Sequence, residues 1–302
     1  MAWPAYLALH NTGELQRRIL AAEELTAECR LCPRVCHARR LEGASGACGV
    51  AGEAVVSSSG AHFGEEAPLV GQGGSGTIFL TGCNLHCVFC QNFEISHRGN
   101  GEVVPPIRLA QMMLALQQSG CHNINFVSPT HQVPQILRAL ALAIEGGLLL
   151  PLVYNCGGYE SLETLRLLDG IVDIYMPDVK YADAAVAKRY SGVENYPAMA
   201  YAAVGEMHRQ VGDLILDRRG RASRGLLVRH LVLPNDLAGT GAVVRFLAGL
   251  SPHTYLNLMD QYRPCYRAHE YPPLARRPTG EEMAQASRLA REAGLTRFDG
   301  SC

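Results

Sequence analysis

The chain has 302 residues, 48% hydrophobic and 18% charged, with a formal net charge of -1 and a pI near 6.8. That balance excludes general disorder and suits one large α/β domain with a small appendage, or two ordinary domains. Apart from the short run Arg218-Arg219-Gly220-Arg221 no block of like charge stands out, so neither a nucleic-acid surface nor a membrane surface is expected.

The first residues, MAWPAYLALHNTGELQRR, lack the basic start, apolar centre and small-residue cleavage site of a secretory signal. A cytoplasmic location is expected. A helix follows near residues 13–28, and behind it stand Cys29, Cys32, Cys36 and Cys48, with Pro33 and a glycine-rich return through Gly43, Gly46 and Gly49. Four thiolates this close can close a structural zinc site or hold a 4Fe–4S cluster; a disulfide pair is the plainer alternative. The chain has 11 cysteines, an odd number without an export signal, which favours metal thiolates over disulfides. The stretch is too poor in apolar residues to fold by packing alone. Residues 1–70 therefore read as an N-terminal helix with a four-cysteine metal-binding appendage, and 71–302 as the main domain.

From residue 77 onward short β-branched runs alternate with helical patterns. Strands are expected at 77–82, 123–128, 149–155, 171–179, 226–233 and 254–260. Helices are expected near 106–119, 132–145, 160–168, 182–211 in two pieces, and 239–249. Arg138, Glu145 and Gly146-Gly147 interrupt the longest apolar run, near 137–154, so it divides into a helix and a strand and not a membrane span. Six units of this kind fall short of the eight in a closed barrel and predict a partial (β/α)6 TIM-like barrel with an open side. One more helix closes the chain, with Thr279 as cap, Glu282 completing a capping box, and Met283, Ala286, Leu289 and Ala290 as its apolar stripe.

The most informative stretch is GCNLHCVFC, residues 82–90, directly after the first of these strands. Cys83, Cys87 and Cys90 are spaced C-x3-C-x2-C. Three thiolates can hold three irons of a 4Fe–4S cube and leave the fourth open. Two plainer readings are a zinc site completed by His86 or His97, and a redox dithiol of Cys87 and Cys90. Barrel active sites sit at the C-terminal ends of the strands, where this loop falls.

This motif, at the end of the first strand of a six-fold βα pattern, resembles the radical S-adenosylmethionine (SAM) superfamily. The resemblance implies a 4Fe–4S cluster on Cys83, Cys87 and Cys90 whose open iron is chelated by the amino and carboxylate groups of SAM. A reduced cluster would pass one electron to the sulfonium, and a 5′-deoxyadenosyl radical would remove hydrogen from a substrate. Val88, Phe89 and Phe93 are expected to shield the cluster.

Where the superfamily commonly has a Gly-Gly-Glu-Pro turn, this chain has Ser128-Pro129-Thr130-His131, so Ser128 and Thr130 are expected to receive the SAM amino group. Asn155 matches a ribose-contacting position, while the adjoining Cys156-Gly157-Gly158 also reads as a tight strand-to-helix turn. Period-two alternation puts Val172, Ile174, Met176, Asp178 and Lys180 on one face. The last two match the Asp-x-Lys of glycyl-radical-enzyme activases, which implies Lys180 on the SAM carboxylate and Asp178 on the nucleoside or a monovalent cation. Arg229, in an otherwise apolar strand, needs an anion, and by the same resemblance that anion is the SAM carboxylate. From the last strand Gln261 is the candidate contact.

The segments GEEAPL (64–69), GSGTIF (74–79), CQN (90–92), SPTH (128–131) and RHLVLP (229–234) further resemble the PflX-type proteins, relatives of pyruvate formate-lyase activating enzyme. That likeness implies a glycyl radical enzyme as partner, an electron donor such as flavodoxin or ferredoxin, and residues 204–225 as a candidate contact region. Two other functions fit the same residues: a radical SAM enzyme acting directly on a peptide or small metabolite, and a non-catalytic metal-binding assembly protein.

Overall fold

The computed structural model describes residues 3–299. In chain order its strands are β1 (Ala54–His62), β2 (Ser75–Leu80), β3 (Glu102–Val104), β4 (Ile124–Val127), β5 (Leu152–Cys156), β6 (Ile174–Pro177), β7 (Ile215–Leu216), β8 (Ala222–Leu231), β9 (Tyr255–Met259) and β10 (Arg297–Asp299). They form one sheet in the order β10-β9-β8-β6-β5-β4-β2-β1-β3, with β7 beside β8. From β2 to β10 along that order all neighbours are parallel, whereas β1 is antiparallel to β2 and β3. Helices Pro106–Gln118, Val133–Glu145, Leu162–Leu167, Ala184–Ser191 with Tyr196–Val211, Thr240–Leu250 and Gly280–Glu292 make the crossovers that parallel pairing requires. The sheet ends at β10 and β3 without closing, as the partial barrel requires.

β1, β3 and β10 are among the strands that went unread in the sequence. β1 is rich in serine and glycine, and only its first half is buried, so it lacks the β-branched alternation of the others. β10 is three residues long, and its place is fixed by pairing with β9 across the register Arg297 to Tyr255.

The apolar side chains divide between two layers. Ile124, Phe126, Tyr154 and Tyr175 pack outward with the helices, while Val153, Ile174, Met176 and Leu227 fill the interior together with Leu69 and Leu214. Val172, expected on the interior face, packs in the outer layer instead, because the strand begins only at Ile174. The final helix has the expected capping box: Glu282 N donates to Thr279 Oγ1 at 3.2 Å and Thr279 N to Glu282 Oε2 at 2.8 Å.

Helices Tyr6–Asn11 and Glu14–Ala27 place Tyr6, Leu15, Ile19 and Ala22 in the same apolar layer as the helix Val133–Glu145. Tyr6 Oη donates to Leu150 O at 2.8 Å, and Arg138 Nε meets Glu23 Oε1 at 2.5 Å. The stretch between Glu28 and β1 holds only one short 3-10 turn, Arg40–Glu42. Among the described residues no helix is long and apolar enough to cross a membrane.

Leu69 is 1% exposed and comes from a segment outside the βα repeat, so it is the interior's plug. Leu69→Ala is expected to destabilise the fold by about 2–5 kcal/mol in chemical denaturation, through lost transfer energy plus a cavity; a change under about 0.5 kcal/mol would show that the interior does not depend on it.

Candidate active site

β2 ends at Leu80, and the chain leaves it through Gly82. This glycine has φ +86°, and a Cβ there would lie 2.4 Å from Cys48 O, so the turn needs glycine on both counts. The loop beyond is braced by backbone contacts. Asn84 Nδ2 donates to Tyr159 O at 2.6 Å, and the amides of His86 and Val88 donate to Ser191 O and Tyr190 O at 3.2 and 2.9 Å. Val88 and Phe89 are buried, with Phe89 edge-on to Tyr181 and Tyr262. Phe93 is only half-buried and stacks on Tyr266, outside the set of residues that line the cavity described next.

Cys83, Cys87 and Cys90 line one cavity of about 220 Å³ at the C-terminal ends of the parallel strands. All three thiols are free. Leu85 N donates to Cys83 Sγ at 3.4 Å; Cys87 Sγ lies 2.9 Å from Ser191 Oγ and Cys90 Sγ 3.1 Å from Ser96 Oγ. Burial, then the neighbouring Cys87, pushes the Cys83 thiol up to about 12; burial pushes Cys87 up to about 11 against the pull of Lys180. Thiols in this state are protonated at neutral pH, so metal binding must displace protons. Among the described residues no three Cys, His, Asp or Glu side chains are arranged round a common ion position. What the loop supplies is the donor set: three thiols on one wall, the soft ligands that iron–sulfur cores take.

The opposite wall is charged. Arg229, in β8, donates from Nε to Asp178 Oδ1 at 2.8 Å and from Nη2 to Asn155 Oδ1 at 2.7 Å. Its other neighbours are Glu65 and Glu66, at 3.8 and 3.9 Å. Lys180 Nζ donates to the second oxygen of Asp178 at 2.5 Å. Burial opposes ionisation of Asp178, but Arg229 and Lys180 outweigh it and hold its carboxyl below the usual range. Burial likewise disfavours the Lys180 cation, but Asp178 and Cys87 prevail and raise it. At Glu65 burial wins over Arg229, and the carboxyl is pushed up to about 7.

The structure thus brings Ser128, Asn155, Asp178, Lys180, Arg229 and Gln261 to the cysteine cavity. Ser128 stands at a positive φ of 58° at the end of β4, and Gln261 is on the exposed rim with Nε2 donating to Met259 Sδ at 3.3 Å. Thr130 lies elsewhere: it is buried and its Oγ1 donates to Glu160 Oε1 at 2.6 Å, away from the cavity. Nor does Arg229 await an external anion, since the chain surrounds it with its own. His86 turns its Nε2 to Ala47 O at 2.8 Å, while His97 lines the cavity with a buried, unpartnered Nε2. Gly158, at φ +77°, confirms the tight turn after β5, since a Cβ would fall 2.2 Å from Asp178 O. The hairpin within 204–225 forms where β7 pairs with the N-terminal end of β8, at Ala222 and Arg224. The cavity is reached from the other end of β8, by Arg229 and Leu231.

Three carboxylates near this region were missed. Glu65 and Glu66 come from GEEAPL, a loop with no periodicity to betray burial. Glu160 follows the Gly157-Gly158 turn and is 1% exposed. Its oxygens accept from Thr130 and Tyr154, the latter at 2.9 Å, and it hydrogen-bonds Cys156.

Three thiols at the mouth of a parallel partial barrel share one cavity with Lys180, Asp178 and Arg229. The chain belongs to the radical SAM superfamily, whose family model matches residues 77–213. It is 32% identical over 290 residues to the uncharacterised protein MJ0674 of Methanocaldococcus jannaschii, covering 93% of this chain and 79% of that one. Among solved structures, a radical SAM methyltransferase from Sphaerobacter thermophilus aligns at 15% identity and TM-score 0.47, over 74% of this chain and just under two thirds, 65%, of the other. A domain of pyruvate-formate lyase-activating enzyme from Bacteroides vulgatus aligns at 13% identity and TM-score 0.38, over 65% of this chain and 91% of the domain. Likeness of that size says nothing about the reaction. Membership in the superfamily implies a 4Fe–4S cluster and SAM.

The Glu160 carboxyl is pushed from its ordinary 4.5 up to about 7 by burial. The folded state therefore binds this proton more tightly than the unfolded chain, and the group's contribution to stability is lost as pH rises from about 4.5 through about 7. Denaturant titrations of wild type and Glu160→Gln at pH 5 and pH 8 are expected to differ in pH dependence by on the order of 3 kcal/mol, the wild type losing more at pH 8. Equal slopes would show that Glu160 is not held protonated.

Proposed function

We propose that this chain is a radical SAM enzyme that cleaves SAM reductively and takes hydrogen from a glycyl segment of a partner protein. The observation that carries the reading is the convergence of Cys83, Cys87 and Cys90 on the cavity walled by Asp178, Lys180 and Arg229. The cysteines would hold the cluster, which when bound supplies the electron that splits SAM and frees a 5′-deoxyadenosyl radical.

The chain's own residues divide the remaining work. Lys180 uses one ammonium hydrogen on Asp178 and has further donors for a carboxylate entering the cavity. Its charge also offsets the thiolates of Cys83 and Cys87. Arg229 is a positioning residue: it fixes the amide of Asn155 and the carboxylate of Asp178, which would meet the nucleoside when SAM is bound. Ser128 offers a hydroxyl at the end of β4. Buried Val88, Phe89 and Tyr262 keep water from the cysteine side.

The substrate side is read from the rim. Gln91, Asn92 and Gln261 line the cavity and are exposed, and carboxamides both donate to and accept from peptide groups. An extended segment of a second protein suits such a rim. The electron would come from a one-electron donor of the flavodoxin or ferredoxin class.

Anaerobically reconstituted protein with dithionite and SAM is expected to release 5′-deoxyadenosine, and replacing any one of Cys83, Cys87 or Cys90 with Ala should abolish it. Retained release would overturn the assignment of the loop. Lys180→Met is expected to weaken SAM binding by about tenfold or more, the loss of one charge-assisted contact. With a candidate glycyl radical enzyme added, electron paramagnetic resonance should show a persistent protein radical. A modified peptide or small product without a protein radical would instead favour direct substrate modification, and no SAM cleavage at all would favour a non-catalytic metal-binding role.

A further inference from the structure

Two cysteines of the N-terminal stretch, Cys29 and Cys48, neighbour a buried charge, Arg40, that makes no ion pair among the described residues. Arg40 is 0% exposed. Its Nε and Nη2 donate to Ala51 O at 3.1 and 2.8 Å, and its Nη1 lies 3.7 Å from Cys29 Sγ. Among the described residues no carboxylate pairs with it: the ion pairs of this stretch are made by Arg30 with Glu163 and Arg39 with Glu42. An isolated buried guanidinium costs several kcal/mol unless an anion compensates it. Neutral thiols do not compensate it.

The other three cysteines gather at the same place. Cys36 is a hydrogen-bonding neighbour of Cys29, and Cys48 is an electrostatic neighbour of Cys29, Cys36 and Arg40, as Cys32 is of Cys29 and Cys48. All four are free thiols, three of them buried and Cys36 exposed. They do not surround a common ion position, so the argument is one of charge and donor type and not of coordination distances. A tetrathiolate centre is net negative whether its core is zinc or a 4Fe–4S cube. Either would supply the anion that Arg40 lacks.

We infer that Cys29, Cys32, Cys36 and Cys48 hold a soft-metal centre as thiolates, with Arg40 as its buried counter-charge. This centre lies directly against the cysteine loop of the active site. Arg34 Nε donates to Asn84 O at 2.8 Å, His86 Nε2 meets Ala47 O at 2.8 Å, and Gly82 packs on Cys48 O. The metal therefore orders the wall against which the loop of Cys83, Cys87 and Cys90 is built. This inference stands apart from the proposed reaction, since it concerns a second set of ligands.

The test uses the full chain, purified anaerobically from iron- and zinc-supplemented cells, with Cys83, Cys87 and Cys90 replaced together by Ala. Elemental analysis is expected to find about one zinc, or about four irons with matching sulfide, still bound per chain; zinc and iron–sulfur outcomes both support the site and differ in whether the centre can pass electrons. A folded triple variant without either metal would overturn it. Should that variant not fold, alkylation of the wild type decides: exposed Cys36 should resist iodoacetamide until the metal is stripped with chelator, and free-thiol reactivity before stripping would refute the site. Arg40→Met should release metal to a chelator about tenfold faster or more; an unchanged rate would remove Arg40 from the account.

Discussion

A cation inside a barrel is the constraint round which the mouth of this protein is arranged. The side chain of Arg229 is 17% exposed in a strand whose neighbours are apolar. It can remain there only because Asp178, Asn155, Glu65 and Glu66 approach it from the ends of two other strands and from the segment that enters the barrel ahead of β2. With Lys180 there are two cations and three carboxyls in the group. Burial pushes Glu65 up to about 7, so in the state with that carboxyl protonated two cations face two anions, and the cluster is neutral as a whole.

The geometry of the site follows from that balance. Asp178 is shared between Arg229 and Lys180, which sets the lysine on the cavity wall opposite the cysteines. Asn155 is held by the same guanidinium. The segment carrying Glu65 and Glu66 continues into Leu69, which plugs the interior, so one stretch of chain supplies both the counter-charges and the floor. Asn257 Nδ2, donating to Glu66 Oε1 at 3.0 Å, ties that stretch to β9 on the far side. Electrostatics and packing here depend on each other.

Where the physics is local, the sequence was readable. Alternating runs of β-branched and helical patterns placed six parallel strands, Thr279 and Glu282 marked the last helix, and period two carried Asp178 and Lys180 to the mouth. Reading failed where long-range partners decide. Glu65 and Glu66 lie in an aperiodic loop and acquire meaning only from Arg229, far along the chain. The hydroxyl of Thr130 serves Glu160 because that buried carboxyl needs donors, a demand no pattern near residue 130 announces. β10 exists only because β9 has a free edge.

The central claim is that Cys83, Cys87 and Cys90 present a cluster with one open iron to SAM within this charged mouth. Electron–nuclear double resonance of the reduced protein, with SAM carrying 15N in its amino group and 17O in its carboxylate, tests it most directly. The account predicts hyperfine coupling from both labels to the cluster, lost when Cys87 is replaced by Ala. A reduced cluster that shows no coupling to either label would contradict it.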